Sequence, residues 1–270
     1  MEKSKNKSEC LLSIVIPVYN NIDGIKETID SALMSVDAML EVIVVDGAST
    51  DGTLEILKTY NDTRFSYISE ADSGIYEAMN KGICKARGKF IGVLNSGDLY
   101  LIKAMSMLLS RLLEYDESCI VYTNQIIVER YEKISFYKVK KPGNIKDMDY
   151  GMSVFHEACF VGREIYAKVG LYDESLKVVG DMDFMLRCVR SNAKFIYHDI
   201  NTVVFESGGV SSGIARYTEG IKLIAKYELP TKYATYRKIL QYWLRSPIRA
   251  YYTKTRMERR RISESYCKLS

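Results

Sequence analysis

The sequence predicts an α/β fold with a mostly parallel central sheet flanked by helices, and three observations support this prediction. Short apolar runs rich in β-branched residues alternate with stretches in which apolar residues recur every three or four positions. Such alternation is typical of strands joined by crossover helices, which form parallel sheets. The runs are apolar almost throughout, as in strands covered on both faces. Several runs also end at carboxylate or amide residues, and open α/β sheets bind ligands at that edge.

The first part of the chain contains four such runs with helical patterns between them. The expected strands cover residues 11–17 (LLSIVIP), 41–45 (EVIVV), 65–68 and 90–94. The expected helices cover residues 22–33, 54–60 and 75–86, and Asp51 and Thr53 are expected as turn and capping groups of the second helix. Residues 11–98 are therefore interpreted as a nucleotide-binding half.

The second part of the chain mixes helical and strand patterns less regularly. Helices are expected at residues 101–113, 163–169, 184–190 and 214–227, and strands at 120–128, 134–139, 159–161 and 194–205. A polar connection covers residues 140–151. We expect this part to complete the same domain.

Composition indicates one globular unit with a polar extension at residues 1–10 and a tail. The 270 residues are 47% apolar, which is enough for a sizeable core. No apolar run approaches the roughly 20 residues that cross a bilayer, so we expect a cytoplasmic protein. The six cysteines show no CxxC pairing, which favours reduced core thiols over a disulfide framework or a zinc site.

The net charge of +4 is unevenly distributed along the chain. Residues 232–270 carry eleven Lys and Arg against two Glu, a net +9, which leaves −5 for residues 1–231. Tyrosines and Trp243 alternate with these basic residues, a pattern that suits the headgroup layer of a membrane. We expect a helical tail that associates with the membrane surface, with no nucleic-acid partner; a nucleic-acid patch and a solvated helix are the alternatives.

Polar side chains follow each of the first four expected strands, namely Asn20, Asp46, Asp72 and the pair Asn95 and Asp98. An acidic crevice repels phosphate, so it indicates either a bridging cation or recognition of sugar and base donors. Asp98, helped by Asn95, suits Mn²⁺ or Mg²⁺, which accept one or two carboxylates together with phosphates and waters. The alternative is an ordinary Asx turn. No GxGxxG motif and no GxxxxGKS/T motif is present, which disfavours a dinucleotide cofactor and a P-loop.

Four motifs together carry a resemblance to a known family. They are SIVIPVYN at residues 13–20, VVDGASTDGT at 44–53, DSGIYEAMNKG at 72–82 and LNSGD at 94–98. In this order and spacing they resemble the family 2 inverting glycosyltransferases with a GT-A type fold, over residues 11 to about 226. The chain is most similar to bacterial enzymes that build O-antigen, capsule or exopolysaccharide. The resemblance implies a nucleotide-sugar-binding half at residues 11–98 and an acceptor-binding half at 99–231.

The resemblance also implies roles for individual residues. Asp98 would be the metal ligand, although Asn95 stands where the family has a first acidic residue, which leaves strict metal dependence open. Asn80 and Lys81 have solvated helix positions as an alternative. The residues expected to bind the nucleotide sugar are Pro17, Tyr19, Asn20, Asp46, Ser49, Asp72, Asn80, Lys81, Asn95 and Ser96.

For catalysis the resemblance points to Asp181 as the general base that deprotonates the acceptor hydroxyl. Gly180 stands where the family usually has Glu, and a helix N-cap is the alternative role for Asp181. Asp183, the competing candidate for the base, and His156 are expected near the acceptor and the diphosphate. Capping or orienting neighbours is the alternative for Asp183, and a purely structural role is the alternative for His156.

Taken together, the sequence predicts an inverting glycosyltransferase. It would move a hexose or N-acetylhexosamine from a UDP-sugar, with Mn²⁺ or Mg²⁺, to a polyprenyl-diphosphate-linked saccharide at the inner face of the cytoplasmic membrane. A nucleotidyltransferase and a catalytically inactive sugar-nucleotide-binding protein are the alternatives. The sequence does not identify the sugar, the linkage, the acceptor or the oligomeric state.

Overall fold

The strand β1 (Leu12–Val18) lies between its parallel neighbours in the sheet. In a computed structural model that describes residues 10–34, 39–131, 134–206, 215–230 and 267–268, β1 pairs with β2 (Leu40–Asp46) and with β4 (Phe90–Val93). The strand β3 (Phe65–Ser69) pairs in parallel with the outer edge of β2. The parallel arrangement predicted for this part of the chain is confirmed.

The other half of the sheet is mixed. The short antiparallel strand β8 (Cys159–Gly162) joins β4 to the long strand β6 (Cys119–Tyr131). The remaining strands of the described residues are β5 (Leu99–Tyr100), β7 (Ile134–Lys140), β9 (Lys194–Glu206) and β10 (Cys267–Lys268). β7 is antiparallel to β6, β9 is parallel to it, and β5 and β10 extend β9 and β7. Apart from β10, the predicted helical tail at residues 232–270 lies outside the described residues.

Helices cover both faces of the sheet. Against one face pack α1 (Ile25–Leu33), α2 (Thr53–Lys58) and α4 (Ile102–Leu112). Against the other face pack α3 (Ile75–Lys85), α5 (Arg163–Val169), α6 (Gly180–Arg190) and α7 (Ala215–Tyr227). Two 3₁₀ helices, Ile145–Tyr150 and His156–Ala158, lie in the connection between β7 and β8.

The side chains of β1 explain why its sequence is apolar without alternation. Ile14 and Ile16 are fully buried on the α1 and α4 face, and Val15 is fully buried on the α3 and α6 face. Successive strand residues point to opposite faces, and each such burial contributes about 1.5–3 kcal/mol. Five cysteines are free thiols; Cys84 is exposed, and Cys10, Cys119, Cys159 and Cys188 are buried or half-buried.

The start of α6 differs from the expectation. The sequence predicts a helix from residue 184, whereas α6 begins at Gly180, with Val179 as its N-cap. The four residues Gly-Asp-Met-Asp lack apolar periodicity, but carboxylates are favourable in the first turn of a helix because its N–H groups are unpaired there. Asp181 and Asp183 therefore belong to the first turn, and neither is the N-cap.

The loop of residues 170–179, which leads into α6, is fixed to both halves of the domain. Asn80 on α3 binds the backbone N–H and C=O of Tyr172 at 3.0 and 2.9 Å. Lys177 donates to the carbonyl oxygen of Ser73 at 2.6 Å. Glu219 on α7 accepts from the backbone N–H groups of residues 177, 178 and 179 at 2.8, 2.8 and 3.2 Å. The position of α6 is thus tied to residues 73–80 and to α7.

Candidate active site

The loops that follow β1 and β2 are bonded to each other. The backbone N–H of Asn20 donates to Ser49 Oγ at 2.8 Å, and the N–H of Thr50 donates to Asn20 Oδ1 at 2.8 Å. Asn20 has φ of 49°, in the left-handed region where asparagine is tolerated. These loops lie together because β1 and β2 are parallel neighbours, with Val18 paired to Asp46.

Asp46 is buried at the base of this pair of loops. Its carboxylate accepts a short hydrogen bond from Ser49 Oγ and another from Ser69 Oγ at 2.7 Å. The Asp72 carboxylate lies over Gly47, where a Cβ would sit 2.6 Å from Asp72 Oδ2. Burial raises the pKa of the Asp72 carboxyl, and the nearby Asp46 and Glu77 carboxylates add to this effect. The arrangement brings Asn20, Asp46, Ser49 and Asp72 together, as the sequence predicts.

The turn Asn95-Ser96-Gly97-Asp98 follows β4 and lies beside the β1 loop. Ser96 Oγ accepts from the side chain of Asn21 at 2.8 Å. Gly97 has φ of 107°, which favours glycine, and its N–H donates to Thr28 Oγ1 at 2.9 Å. The N–H of Asp98 closes the turn on the carbonyl of Asn95 at 3.0 Å, and Asp98 is buried. The turn is thereby held against both α1 and the β1 loop.

The two ends of the Asn95 side-chain amide differ: the nitrogen has a hydrogen-bond partner and the oxygen has none among the described residues. Its Nδ2 donates to Glu157 Oε1 at 3.2 Å and lies 3.4 Å from His156 Nε2. Its Oδ1 is buried and has no hydrogen-bond partner among the described residues. The Glu157 carboxylate fixes which end of the amide faces it, since only the NH₂ group can donate. An unpaired amide oxygen on the same turn as Asp98 fits a divalent cation that prefers oxygen ligands.

His156 lies between carboxylates. Its Nδ1 is 3.3 Å from Glu157 Oε2 and 3.4 Å from Asp181 Oδ2. Burial opposes protonation of the ring, but Glu157, Asp181 and Asp98 outweigh it and raise the pKa of His156 to about 9. The neighbouring carboxylates therefore favour the protonated ring. The location of His156 beside Asp181 agrees with the functional expectation for it.

Asp181 points into the same cluster from the start of α6. Its Oδ2 faces His156, and its Oδ1 accepts a 3.4 Å hydrogen bond from the hydroxyl of Tyr76. About 22% of the side chain is exposed, which leaves it accessible to a substrate hydroxyl. Val179 is the N-cap, and Asp181 faces side chains outside its helix. The structure therefore does not support the N-cap role for Asp181.

Asp183, in the same turn, faces α7 and has three hydrogen-bond donors around its carboxylate. It accepts from Arg187 Nε at 2.9 Å, Lys226 Nζ at 2.9 Å and the hydroxyl of Tyr227 at 2.7 Å. Burial raises the pKa of this carboxyl, but the three donors outweigh it, so the pKa is lowered overall. Asp183 thus ties α6 to α7, and its expected place beside the acceptor or the diphosphate stays a prediction.

Asn80 and Lys81 have protein partners as well. The amide of Asn80 is buried against Tyr172 and Glu174 in the 170–179 loop. Lys81 pairs with Glu70 at 3.0 Å and Glu77 at 2.9 Å and donates to the carbonyl of Ala71. Both residues therefore support the chain around Asp72, and their direct contact with a nucleotide stays a prediction.

The other expected nucleotide residues lie where β1 leaves the sheet. Pro17 is a buried residue of β1 paired with Val45, and Tyr19 follows with 64% of its surface exposed. An exposed tyrosine at this edge is available to a ring-shaped ligand. Within the described residues, no group of three or more His, Cys, Asp or Glu side chains forms a ready metal site.

Comparison with known proteins identifies the family. Residues 13–170, more than half of the chain, match the family described as Glycosyl transferase family 2. The chain belongs to glycosyl transferase family 2. The resemblance inferred from the four motifs is confirmed.

Relatives of this family 2 chain include proteins of several bacteria. An uncharacterised glycosyltransferase of Rickettsia typhi is 29% identical over 204 residues, which cover 73% of this chain and 64% of that protein. A PGL/p-HBAD biosynthesis glycosyltransferase of Mycobacterium bovis is 28% identical over 214 residues, with 76% and 80% covered. The chain thus spans a little less than two thirds of the Rickettsia relative.

Solved structures share the fold. S. aureus TarS 1–349 superposes with a TM-score of 0.62 at 19% identity, over 94% of this chain and 76% of TarS 1–349. The mannosyltransferase PcManGT of Pyrobaculum calidifontis, solved with GDP-Man and Mn²⁺, gives a TM-score of 0.59 at 17% identity, with 85% and 68% covered. At these identities the likeness shows the fold, so the GT-A type fold expected of a family 2 chain is confirmed. In the described part of the chain, no helix combines the length and apolarity needed to cross a membrane.

Three residues of the site were not singled out as functional by the sequence. Glu157 bonds both Asn95 and His156, Tyr76 bonds Asp181, and Glu219 holds the backbone before α6. Glu157 is adjacent to a predicted site residue and Tyr76 lies within a quoted family 2 motif, so both had a local signal. Glu219 had none, because its partners lie 40 to 42 residues earlier in the chain.

Proposed function

We propose that this family 2 chain is an inverting glycosyltransferase that transfers a hexose or N-acetylhexosamine from a UDP-sugar to a saccharide acceptor. The observation that carries the proposal is the meeting of Asp181, His156 and Asn95 beside the bonded loops of β1 and β2. S. aureus TarS, which shares the fold, was solved with UDP and with UDP-GlcNAc. That finding supports a UDP-sugar donor.

The donor nucleotide binds at the bonded loops of β1 and β2. Tyr19 is exposed there, and Asn20 and Ser49 present polar groups at the loop surface. Asp46 is buried below and acts by holding Ser49, while Asp72 approaches the same loop over Gly47. This geometry supports recognition of uracil and ribose by loop residues and of the sugar near Asp72.

Asp181 is the general base. Its carboxylate removes the proton of the acceptor hydroxyl while that oxygen attacks the anomeric carbon on the face opposite UDP. The bond between the anomeric carbon and the diphosphate oxygen breaks, and UDP leaves with the electron pair. The new glycosidic bond forms with inverted configuration. The partial exposure of Asp181 allows the acceptor to approach it.

His156 supplies positive charge to this step. Its raised pKa of about 9 keeps the ring charged at neutral pH. A fixed cation beside the reacting groups stabilises developing negative charge, and the departing diphosphate carries such charge. His156 also fixes one oxygen of Asp181, which leaves the carboxylate in a defined plane.

The residues present fit a divalent cation. Asp98 and the unpaired Oδ1 of Asn95 would hold Mn²⁺ or Mg²⁺, and the cation would neutralise the diphosphate. PcManGT, which shares the fold, was solved with Mn²⁺. A chelator is expected to lower transfer, and Asp98→Asn is expected to raise the Mn²⁺ concentration needed for half-maximal rate.

The acceptor in this proposal is a polyprenyl-diphosphate-linked saccharide of surface polysaccharide synthesis, reached at the inner face of the cytoplasmic membrane. The support for it is the charge of residues 232–270, which suits an anionic leaflet. A charged tail with interleaved aromatic residues would keep the enzyme where lipid-linked acceptors are found.

A donor and acceptor screen tests the proposal. Purified protein is incubated with Mn²⁺, individual UDP-sugars and synthetic lipid-diphosphate saccharides, and the anomeric configuration of the product is determined by NMR. Transfer with inversion, lowered by about 10²- to 10⁴-fold in Asp181→Asn, is the expected result. UDP binding without turnover would instead indicate an inactive binding protein, and pyrophosphate release from nucleoside triphosphates a nucleotidyltransferase.

A further inference from the structure

Tyr76 reaches the base from the other half of the domain. It lies in the first turn of α3, is only 5% exposed, and its hydroxyl is 3.4 Å from Asp181 Oδ1. Its ring stacks on Tyr172 with centroids 5.6 Å apart. The hydroxyl is thus held at the carboxylate by packing of the ring.

Gly180 is the residue that makes room for this ring. A Cβ at position 180 would lie 2.7, 2.8 and 2.9 Å from three ring carbons of Tyr76. Side-chain carbons do not approach an aromatic ring so closely, so the ring and any side chain at position 180 exclude each other. Glycine at position 180 therefore leaves the space that the ring of Tyr76 occupies.

The hydroxyl of Tyr76 keeps its proton in this environment, and its oxygen also accepts hydrogen bonds from the backbone at Gly180 and Asp181. Burial raises its pKa far above neutrality, and the nearby Asp181 carboxylate adds to this effect. The Asp181 carboxylate thus faces the Tyr76 hydroxyl at Oδ1 and the His156 ring at Oδ2. Two different elements therefore limit how this side chain can turn.

We propose that Tyr76 is a positioning residue that orients Asp181 for proton removal, and that glycine at position 180 makes room for its ring. This inference rests on the proposed function of Asp181 as base. Tyr76 does not touch the substrate in this proposal; it limits the rotation of the Asp181 carboxylate. Loss of the hydroxyl should therefore affect turnover more than donor binding.

The first test compares Tyr76→Phe with a matched core tyrosine. Tyr166 stacks on Phe184 at 5.0 Å in the same core cluster, and Tyr166→Phe is the control. We expect kcat to fall about tenfold in Tyr76→Phe, with the donor KM and the UDP affinity within about twofold of wild type. Tyr166→Phe should keep the wild-type kcat. An unchanged kcat in an active enzyme bearing Tyr76→Phe would overturn the inference while leaving the proposed function intact.

A double-mutant cycle separates positioning from packing. Gly180→Ala should displace the ring and lower kcat by a similar factor, and the double variant should be no slower than the slower of the two single variants. Losses that multiply would indicate independent packing defects and overturn the inference. A readout that does not depend on turnover is the crystal structure of Tyr76→Phe. The Asp181 carboxylate should leave its position or occupy two conformers, whereas a carboxylate still in place would contradict the positioning role.

Discussion

At the scale of single residues, neighbouring carboxylates decide the charge of His156. Three acidic residues surround the ring, and together they outweigh its burial. At Asp183 burial alone would raise the pKa of the carboxyl, but three hydrogen-bond donors outweigh burial and lower the pKa. The two residues show that burial alone does not set the protonation of a group in this site.

The raised pKa of His156 predicts a pH dependence of stability. A histidine with a raised folded-state pKa stabilises the protein fully below its unfolded value of about 6.5, and this contribution is lost as the pH rises through about 9. Thermal unfolding measured in chelator from pH 6 to pH 9.5 should show the wild type losing more of its Tm across this window than His156→Gln. Parallel curves for the two proteins would contradict the assignment.

The two carboxylates of the first turn of α6 should respond differently to the same substitution. Asp181→Asn is expected to abolish most transfer with little change in stability, since the side chain is partly exposed. Asp183→Asn is expected to cost about 1–3 kcal/mol of unfolding free energy, because the buried carboxylate that joins α6 to α7 becomes a neutral amide, while most of kcat is retained. Urea unfolding and steady-state rates measured on both variants distinguish these effects. Equal losses of rate in the two variants would indicate that Asp183 also acts in the active site.

These paired residues also show what the sequence could and could not predict. Asp181 and His156 could be predicted because both follow recognisable patterns, and the structure places them 3.4 Å apart. The partners of Asp183 lie 43 and 44 residues later in the chain, and a side chain's direction is not readable from its own neighbours. The amide of Asn80 likewise binds a loop 92 residues away, a contact that its neighbours in the sequence do not indicate.

At the scale of elements, α7 stabilises the start of α6 from both sides. Glu219 binds the backbone of residues 177–179 immediately before α6, and Lys226 and Tyr227 bind Asp183, two residues after Asp181. A helix held on both sides of Asp181, the proposed base, has little freedom to tilt. The strands were predictable from apolar runs, but this role of α7 depends on tertiary contacts.

Removal of the Glu219 carboxylate should loosen the approach to α6. Glu219→Ala leaves three backbone N–H groups without their acceptor, and we expect a loss of about 1–3 kcal/mol in unfolding free energy together with a lower kcat. Hydrogen exchange at residues 177–183 measures the local effect. Lys222→Ala, an exposed change on the same helix, is the control and should alter neither quantity. Unchanged exchange in Glu219→Ala would show that the loop is held by other contacts.

Asn80→Ala tests the link between α3 and the 170–179 loop. Its amide makes three hydrogen bonds to that loop, so we expect a loss of about 1–3 kcal/mol in stability. UDP affinity measured by calorimetry should stay within about twofold of wild type. A large loss of UDP affinity without a loss of stability would support the nucleotide-binding role expected from the sequence.

At the scale of the whole molecule, the chain has an acidic body and a basic C-terminal segment. The net charge is −5 for residues 1–231 and +9 for residues 232–270. The parallel half of the sheet was predictable, because β1, β2 and β4 are buried on both faces. The mixed half of the sheet was harder to predict, because the sequence does not show which distant strands pair. The parallel pairing of β9 with β6 is an example.

The basic segment predicts binding to anionic membranes. Arg259, Arg260 and Arg261 should each contribute about 1 kcal/mol near an anionic leaflet. Co-sedimentation with phosphatidylglycerol vesicles should weaken strongly when all three are changed to Gln, and should weaken further with added salt. Phosphatidylcholine vesicles are the control and should bind neither protein. Equal binding to both lipids would exclude an electrostatic contribution.

The anchoring of the 170–179 loop constrains how this protein can be engineered. Exchanging the two halves of homologous enzymes at residue 98 would separate Asn80 and Ser73 from the loop residues that they bind. A functional chimera should therefore carry residues 72–82 and 170–181 from the same parent, even though nearly a hundred residues separate them. The chimera would then take its donor preference and the position of Asp181 from the same parent.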